Sequence, residues 1–271
     1  VDPELEAACR QVMLDANGLQ RYTQEDLPVE AGSPIDNDDR VLTEFSMREL
    51  IDAPIRAAID DLVVTTIVLD KWHFVRGYAL PTLVRSAITG AGTALWLMDP
   101  NVHQRRLRAV RVSYQIAKNE LNFVKGVPVD WNGVGAGPTV VEKQQKQLST
   151  EQKLQRVIDN GTALGLSERD VKDKPNDTTI VEEGAKRLPP DTFQCPPEEH
   201  ILTEWRLLSG RAHGLIWPVH YADNTPVQAA DPRFVTAPVA MSLDRMLGSV
   251  HNALVMLNCA VDHFADLIKA P

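Results

Sequence analysis

The sequence predicts an all-α protein: an antiparallel bundle of long helices with a polar helical insertion. Three observations carry that expectation. Apolar residues recur at helical spacing through five long stretches, at about 46–79, 82–99, 101–125, 197–213 and 238–269. Capping and stop signals bracket most of them. The run that would best suit a strand, Val63-Val64-Thr65-Thr66-Ile67-Val68, has flanks that favour helix.

In chain order, Leu5, Ala8, Cys9, Val12 and Met13 predict a short first helix that Asn17-Gly18 closes. Residues 20–41 are acidic and rich in turn formers (Gly32, Ser33, Pro34, Asp36, Asn37) and read as a loop. Ser46 and Glu49 form a capping box, after which Ile55, Ile59, Leu62, Val63, Ile67 and Phe74 mark an apolar face. Pro54 is expected to break or kink that helix near its start. Pro81 restarts the chain, and Gly90, Ala91 and Gly92 in the next helix let a neighbour approach closely. Asp99-Pro100 is expected to cap the helix that follows, which carries Arg105, Arg106, Arg108 and Arg111 as a basic ridge.

Residues 126–138 form a glycine-rich loop that matches no phosphate-cradling pattern. Thr139 with Glu142 caps a polar helix to about Leu164, and Ser167–Asp170 and Thr179–Glu182 start two shorter ones. Pro196-Pro197 opens a helix that Gly214 ends. A proline-bearing loop over 215–237 follows, and Pro238 starts the final helix. Its broad apolar stripe includes Met246, Leu247, Val250, Leu254, Leu257 and Phe264. The chain therefore divides into an N-terminal helix-and-loop extension (1–45) and one helical-bundle domain (46–271) with an insertion at 139–190.

A chain of 271 residues can bury a substantial core. The net charge of −9 argues against coating nucleic acid by bulk attraction, yet leaves room for a local basic patch. Cys9, Cys195 and Cys259 are odd in number and widely spaced, which suggests neither a disulfide framework nor a zinc site. A reducing cytoplasm is the expected setting. The start, Val1-Asp2-Pro3-Glu4, lacks a signal-peptide apolar core, and the first residue is not Met. The best apolar run, 82–98, carries Arg85, so no membrane span is expected.

The stretch richest in chemistry is Trp205-Arg206-Leu207-Leu208-Ser209-Gly210-Arg211-Ala212-His213-Gly214. Seven helical steps return to within roughly 20° of the start, about 10 Å further along the axis. Arg206, Gly210 and His213 therefore share one stripe, with Ser209 at its edge. Ile201, Trp205, Leu208 and Ala212 fall on a separate arc, the expected core face. Such a pair suits phosphodiester cleavage without a metal. The imidazole can take a proton from a ribose 2′-hydroxyl or return one to the leaving oxygen. The guanidinium can hold charge that builds on phosphorus. The same residues also suit structural roles, because a histidine in a last turn and a glycine after it are ordinary helix ends. Metal pairs are weaker: His200 and Glu204 share a face without a third ligand, and His251 and His263 are out of phase. Ser209 lies in no nucleophile elbow. Neither a metal nor a cofactor is expected.

The spacing Arg206-x6-His213, late in an all-α chain and followed by another long helix, resembles the Arg-x(4–6)-His motif of HEPN domains. The wider phrase Trp-Arg-Leu-Leu-Ser-Gly-Arg-Ala-His-Gly-Leu-Ile-Trp is similar to a bacterial family grouped with HEPN-like proteins. Leu83-Val84-Arg85-Ser86-Ala87 and Ala94-Leu95-Trp96-Leu97 resemble earlier helices of that family. The similarity spans about residues 80–265. It implies a helical bundle that dimerises so that two Arg–His pairs face one cleft. Many HEPN proteins are ribonucleases of toxin–antitoxin, phage-defence or RNA-processing systems, and others are inactive binding modules.

Carried over, the resemblance makes Arg206 the phosphate-stabilising residue and His213 the acid/base, with Ser209 supporting them. Arg85, Arg105, Arg108 and Arg211 are the expected substrate-binding cations. Where active members often carry a polar residue directly after the arginine, this chain has Leu207. Two readings follow. One is a metal-independent endoribonuclease of toxin or phage-defence type, a homodimer acting on RNA and held by an antitoxin partner. The other is a non-catalytic helical binding or dimerisation module.

Overall fold

A computed structural model describes residues 2–24, 27–72, 75, 77–128, 139–215, 217–221, 227–228, 235–236 and 241–271. The chain is all-α. The helices are α1 (Pro3–Gln24), α2 (Pro34–Asp39), α3 (Met47–Trp72), α4 (Ala79–Leu97), α5 (Val102–Gly126), α6 (Val140–Ala163), α7 (Glu168–Lys172), α8 (Asp177–Ala185), α9 (Pro197–Ala212) and α10 (Leu243–Leu267). A 3₁₀ turn covers Trp217–Tyr221. Strands β1 (Val227–Gln228) and β2 (Val235–Thr236) pair antiparallel, Val227 opposite Thr236.

The chain forms two compact units. The first comprises residues Val1–Pro28, Ile51–Trp96 and Asp177–Asp266. Its core is built from fully buried Ile55, Ile59 and Leu62 of α3, Ile88 and Leu95 of α4, Ile201 of α9 and Phe264 of α10. Each large apolar side chain so buried contributes roughly 1.5–3 kcal/mol of transfer free energy. The expected close approach at 90–92 is present. A Cβ on Gly90 would lie 2.6 Å from the carbonyl oxygen of Pro54, and one on Gly184 would lie 2.5 Å from that of Gly92. Glycines thus let α4 press its backbone against both α3 and α8. Helix α8 also packs along α9.

The second unit comprises Val29–Leu50, Leu97–Asn176 and Leu267–Pro271. Here α5 packs against α6 and α7. Gly161 of α6 admits Val171 and Val110, since a Cβ there would lie 2.4 Å from a Val171 methyl. The end of the chain is tied down by the Glu30 N–H, which donates to the Ile268 carbonyl at 2.9 Å. The 139–190 segment is shared out: α6 and α7 belong to this unit and α8 to the first.

Local capping signals are realised at Ser46/Glu49, Thr139/Glu142 and Ser167/Asp170. Five expectations are corrected. First, α1 does not stop at Asn17-Gly18 but runs to Gln24. Tyr22 is buried edge-on to Phe264, its hydroxyl donates to Asp52 at 2.8 Å, and Arg56 caps the Thr23 carbonyl. That packing outweighs the roughly 1 kcal/mol helix cost of Gly18. Second, the segment 20–41 contains α2, with Ser33 as N-cap and Pro34 in its first turn. Third, Pro54 does not break α3, which runs from Met47 to Trp72 with the proline inside it. Fourth, the N-cap of α5 is Asn101, whose side-chain oxygen accepts from His103 and Gln104, while Asp99 accepts from Asn101. Fifth, Met241 and Ser242 are non-helical, so the final helix starts at Leu243 and not at Pro238. There the Ser242 hydroxyl accepts from the Arg245 N–H. Phe74, residues 129–138 and Pro238 itself lie outside the described residues.

No helix among the described residues is long and apolar enough to cross a membrane.

Candidate functional site

Helix α9 opens without a side-chain cap, on Pro196 and Pro197, and closes in a hydrogen-bonded turn. The Leu215 N–H donates to the Gly210 carbonyl and the Gly214 N–H to the Arg211 carbonyl, each at 2.9 Å. Gly214 has φ +66°, so the end is a Schellman motif in which a glycine takes the left-handed position. His213 is the C-cap, exposed, with its N–H donating to the Ser209 carbonyl at 3.0 Å. Ser209 and His213 are joined through backbone, and Ser209 is half-buried.

Arg206 is exposed and makes no ion pair among the described residues. It lines a cavity of about 480 Å³ with Thr203, Leu207, Trp217, Tyr221 and Arg245. Trp217 and Tyr221 meet edge to face at 6.0 Å. Arg245 donates to Glu204 at 2.6 Å, and buried Glu204 also accepts from the Ser249 hydroxyl at 2.6 Å. One guanidinium in this cavity is thus already neutralised and the other is not. His213 is not among the lining residues.

Gly210 lies between Arg206 and His213 along the chain. A Cβ at that position would lie 2.6 Å from both Pro218 Cγ and Trp217 Cζ2. The 3₁₀ turn therefore sits flush on α9 at the midpoint of the Arg206–Gly210–His213 stripe. Arg206 lines the cavity and His213, the C-cap beyond the last helical residue, does not.

The four expected substrate-binding arginines lie elsewhere. Arg85 stacks over the Trp205 ring, 4.8 Å from its centroid, and faces Asp177 at 3.9 Å. Trp205 in turn donates its indole N–H to Thr89. Arg105 is buried and paired with Asp38, with a second bond to the Asp99 carbonyl. Arg108 pairs with Asp99 at 2.9 Å. Arg211 is buried, and desolvation, then the nearby Arg245 charge, pushes its pKa below the usual arginine range. Arg106 and Arg111 of the expected ridge are also tied down, to Asp38 and Asp173. None of these six lines the α9 cavity.

Trp217, Tyr221, Arg245 and Thr203 were not singled out by sequence reasoning as site residues. The usable signal was the Trp–Pro pair shortly after the Gly214 stop, two residues that pack well against a helix. His200 faces Asn252 and Cys195 rather than Glu204. No cluster of three metal-ligating side chains occurs among the described residues.

No family model, curated protein or solved structure matches this chain.

Proposed function

We propose that the α9 face seats RNA and that Arg206 and His213 cleave it without a metal, the chain acting as a homodimer. The observation that carries this reading is Arg206 itself. It is an exposed guanidinium with no ion-pair partner among the described residues, in a cavity that also presents two aromatic rings. Phosphate binds such a fork, and a base stacks on such rings, so a single strand is the polyanion that uses both. With a net charge of −9, attraction for a polyanion has to come from a local group rather than from the chain as a whole.

In the cleavage step the 2′-hydroxyl passes its proton to His213 and its oxygen attacks phosphorus. The bond to the 5′-oxygen breaks, and that oxygen takes a proton from imidazolium. A 2′,3′-cyclic phosphate and a 5′-hydroxyl result. Arg206 stabilises the charge on the phosphoryl oxygens in transit. Because His213 does not line the cavity that holds Arg206, each scissile phosphate takes Arg206 from one copy and His213 from the other.

The test is RNA cleavage in EDTA by the wild type, Arg206→Ala and His213→Ala, with folding checked by circular dichroism. Each variant alone is expected to be inactive, and an equimolar mixture of the two to regain cleavage, because mixed dimers hold one intact composite site. Inactivity of the wild type on every RNA, together with no growth arrest on expression, overturns cleavage. Inactivity of the mixture alone overturns the composite site.

A second reading, a non-catalytic binding module, is favoured by Leu207. It is buried directly after Arg206, where active HEPN members often carry a polar residue. It expects RNA retention without cleavage, lost in Arg206→Ala.

A further inference from the structure

Outside the α9 cavity, three side chains of the first unit line up in a relay. Cys195 is exposed, just ahead of α9, with Sγ 3.9 Å from Nδ1 of His200. On the far side of the ring, Nε2 of His200 is 3.3 Å from Oδ1 of Asn252, a buried residue of α10. The amide oxygen can only accept, so the proton of the neutral imidazole is held on Nε2. Nδ1 is then left as a lone pair facing the thiol. Phe193 stacks on the imidazole, centroids 4.1 Å apart and planes 15° off parallel, which fixes the ring's orientation.

Cys195 also lines a cavity of about 480 Å³ with Leu188, Pro190, Phe193 and Pro196. Lys186 and Glu198 are the charged groups of that lining. Lys186 is held by Glu183 at 2.6 Å and Glu182 at 3.7 Å. Two prolines open α9, so the Glu198 N–H is its first amide donor, and it takes no acceptor among the described residues.

We propose that Cys195, His200 and Asn252 form a thiol acyl-transfer site for an ester or amide with an apolar acyl group. The thiol proton moves to Nδ1 of His200 as Sγ attacks the acyl carbon. The bond to the leaving alcohol or amine breaks, and that group takes the proton from Nδ1. The resulting thioester is cleaved by water, which gives one proton to Nδ1. The carbon–sulfur bond breaks, the acid departs and the thiolate recovers its proton. The Glu198 N–H is the donor available to the oxyanion. Cys195 is the catalytic nucleophile, His200 the acid/base, and Asn252 a positioning residue that acts through the ring. This site shares no residue with the RNA reading and stands or falls independently of it.

Two measurements on the full chain test it. Iodoacetamide labelling, mapped by mass spectrometry, reads the thiolate. At pH 6 Cys195 is expected to react about tenfold faster in the wild type than in His200→Ala or His200→Gln. The rates should converge at alkaline pH, and Asn252→Ala should fall between. p-Nitrophenyl acetate reads the acyl transfer. A burst of p-nitrophenolate with one acetyl group retained on Cys195 is expected, abolished in Cys195→Ser. Equal labelling rates at pH 6 in the wild type and both folded His200 variants overturn the pairing. A fast thiol that retains no acetyl group overturns acyl transfer.

Discussion

The indole of Trp217 occupies the space that a side chain on Gly210 would need, its Cζ2 only 2.6 Å from the position of a Cβ there. Pro218 closes on the same point from the same distance. Gly210→Ala gains up to about 1 kcal/mol of helix propensity and incurs roughly 1–3 kcal/mol of overpacking. A net loss of up to about 2 kcal/mol in urea unfolding is expected, with a shift in tryptophan fluorescence as the 3₁₀ turn is pushed outward. In a Trp217→Ala background the same substitution should cost less, a coupling of about 0.5–3 kcal/mol. Equal costs in both backgrounds would show that the turn yields freely.

Asp38 gives the second prediction. Its side chain is fully buried and accepts from both Arg105 and Arg106, the latter at 2.8 Å. Asp38→Ala strands the buried Arg105 cation, and loss of one partner of such a pair costs about 3–5 kcal/mol. Arg105→Ala should be milder, because Arg106 still faces the carboxylate. Denaturant midpoints for the two variants check the order, and an Asp38→Ala protein as stable as the wild type refutes it.

Those same arginines mark where the sequence stops being legible. Ser46/Glu49, Thr139/Glu142 and Ser167/Asp170 could be read as caps because each box closes within three residues. The length of α1 could not, because Gly18 is a local stop signal while Tyr22 answers to Phe264 and Asp52, far along the chain. By sequence Arg105 belongs to a basic ridge open to substrate, since nothing in its own helix announces Asp38. The site divides in the same way. The exposure of Arg206 and His213 follows from their helix face. The cavity does not, because Trp217, Tyr221 and Arg245 reach Arg206 from segments that only tertiary packing brings to α9.

Cys259 supplies a pH dependence. Burial, aided by the Asp262 charge, pushes its thiol up to about 11. A thiol whose ionisation is disfavoured in the folded state adds stability below its unfolded pKa, and loses it as pH rises toward the folded value. The window is therefore about pH 9 to 11. For a partly exposed group the loss is of order 1 kcal/mol after solvent screening. Unfolding free energies of the wild type minus those of Cys259→Ala, measured across that window, should fall by this amount. A flat difference would remove the thiol as the cause.

Tyr221 separates recognition from stability on the α9 face. It is 73% exposed and touches Trp217 edge-on, so Tyr221→Ala removes little packing and should change unfolding by less than about 0.5 kcal/mol. If a base stacks there, the same change weakens binding of a short single-stranded RNA by about 1–3 kcal/mol, read by fluorescence anisotropy. Arg206→Ala should weaken binding as well, and should also lower the slope of log affinity against log salt by about one phosphate contact. Tyr221→Ala should leave that slope unchanged, because stacking releases no counterions. An Arg206→Ala protein with the wild-type salt slope would mean that this guanidinium meets no phosphate.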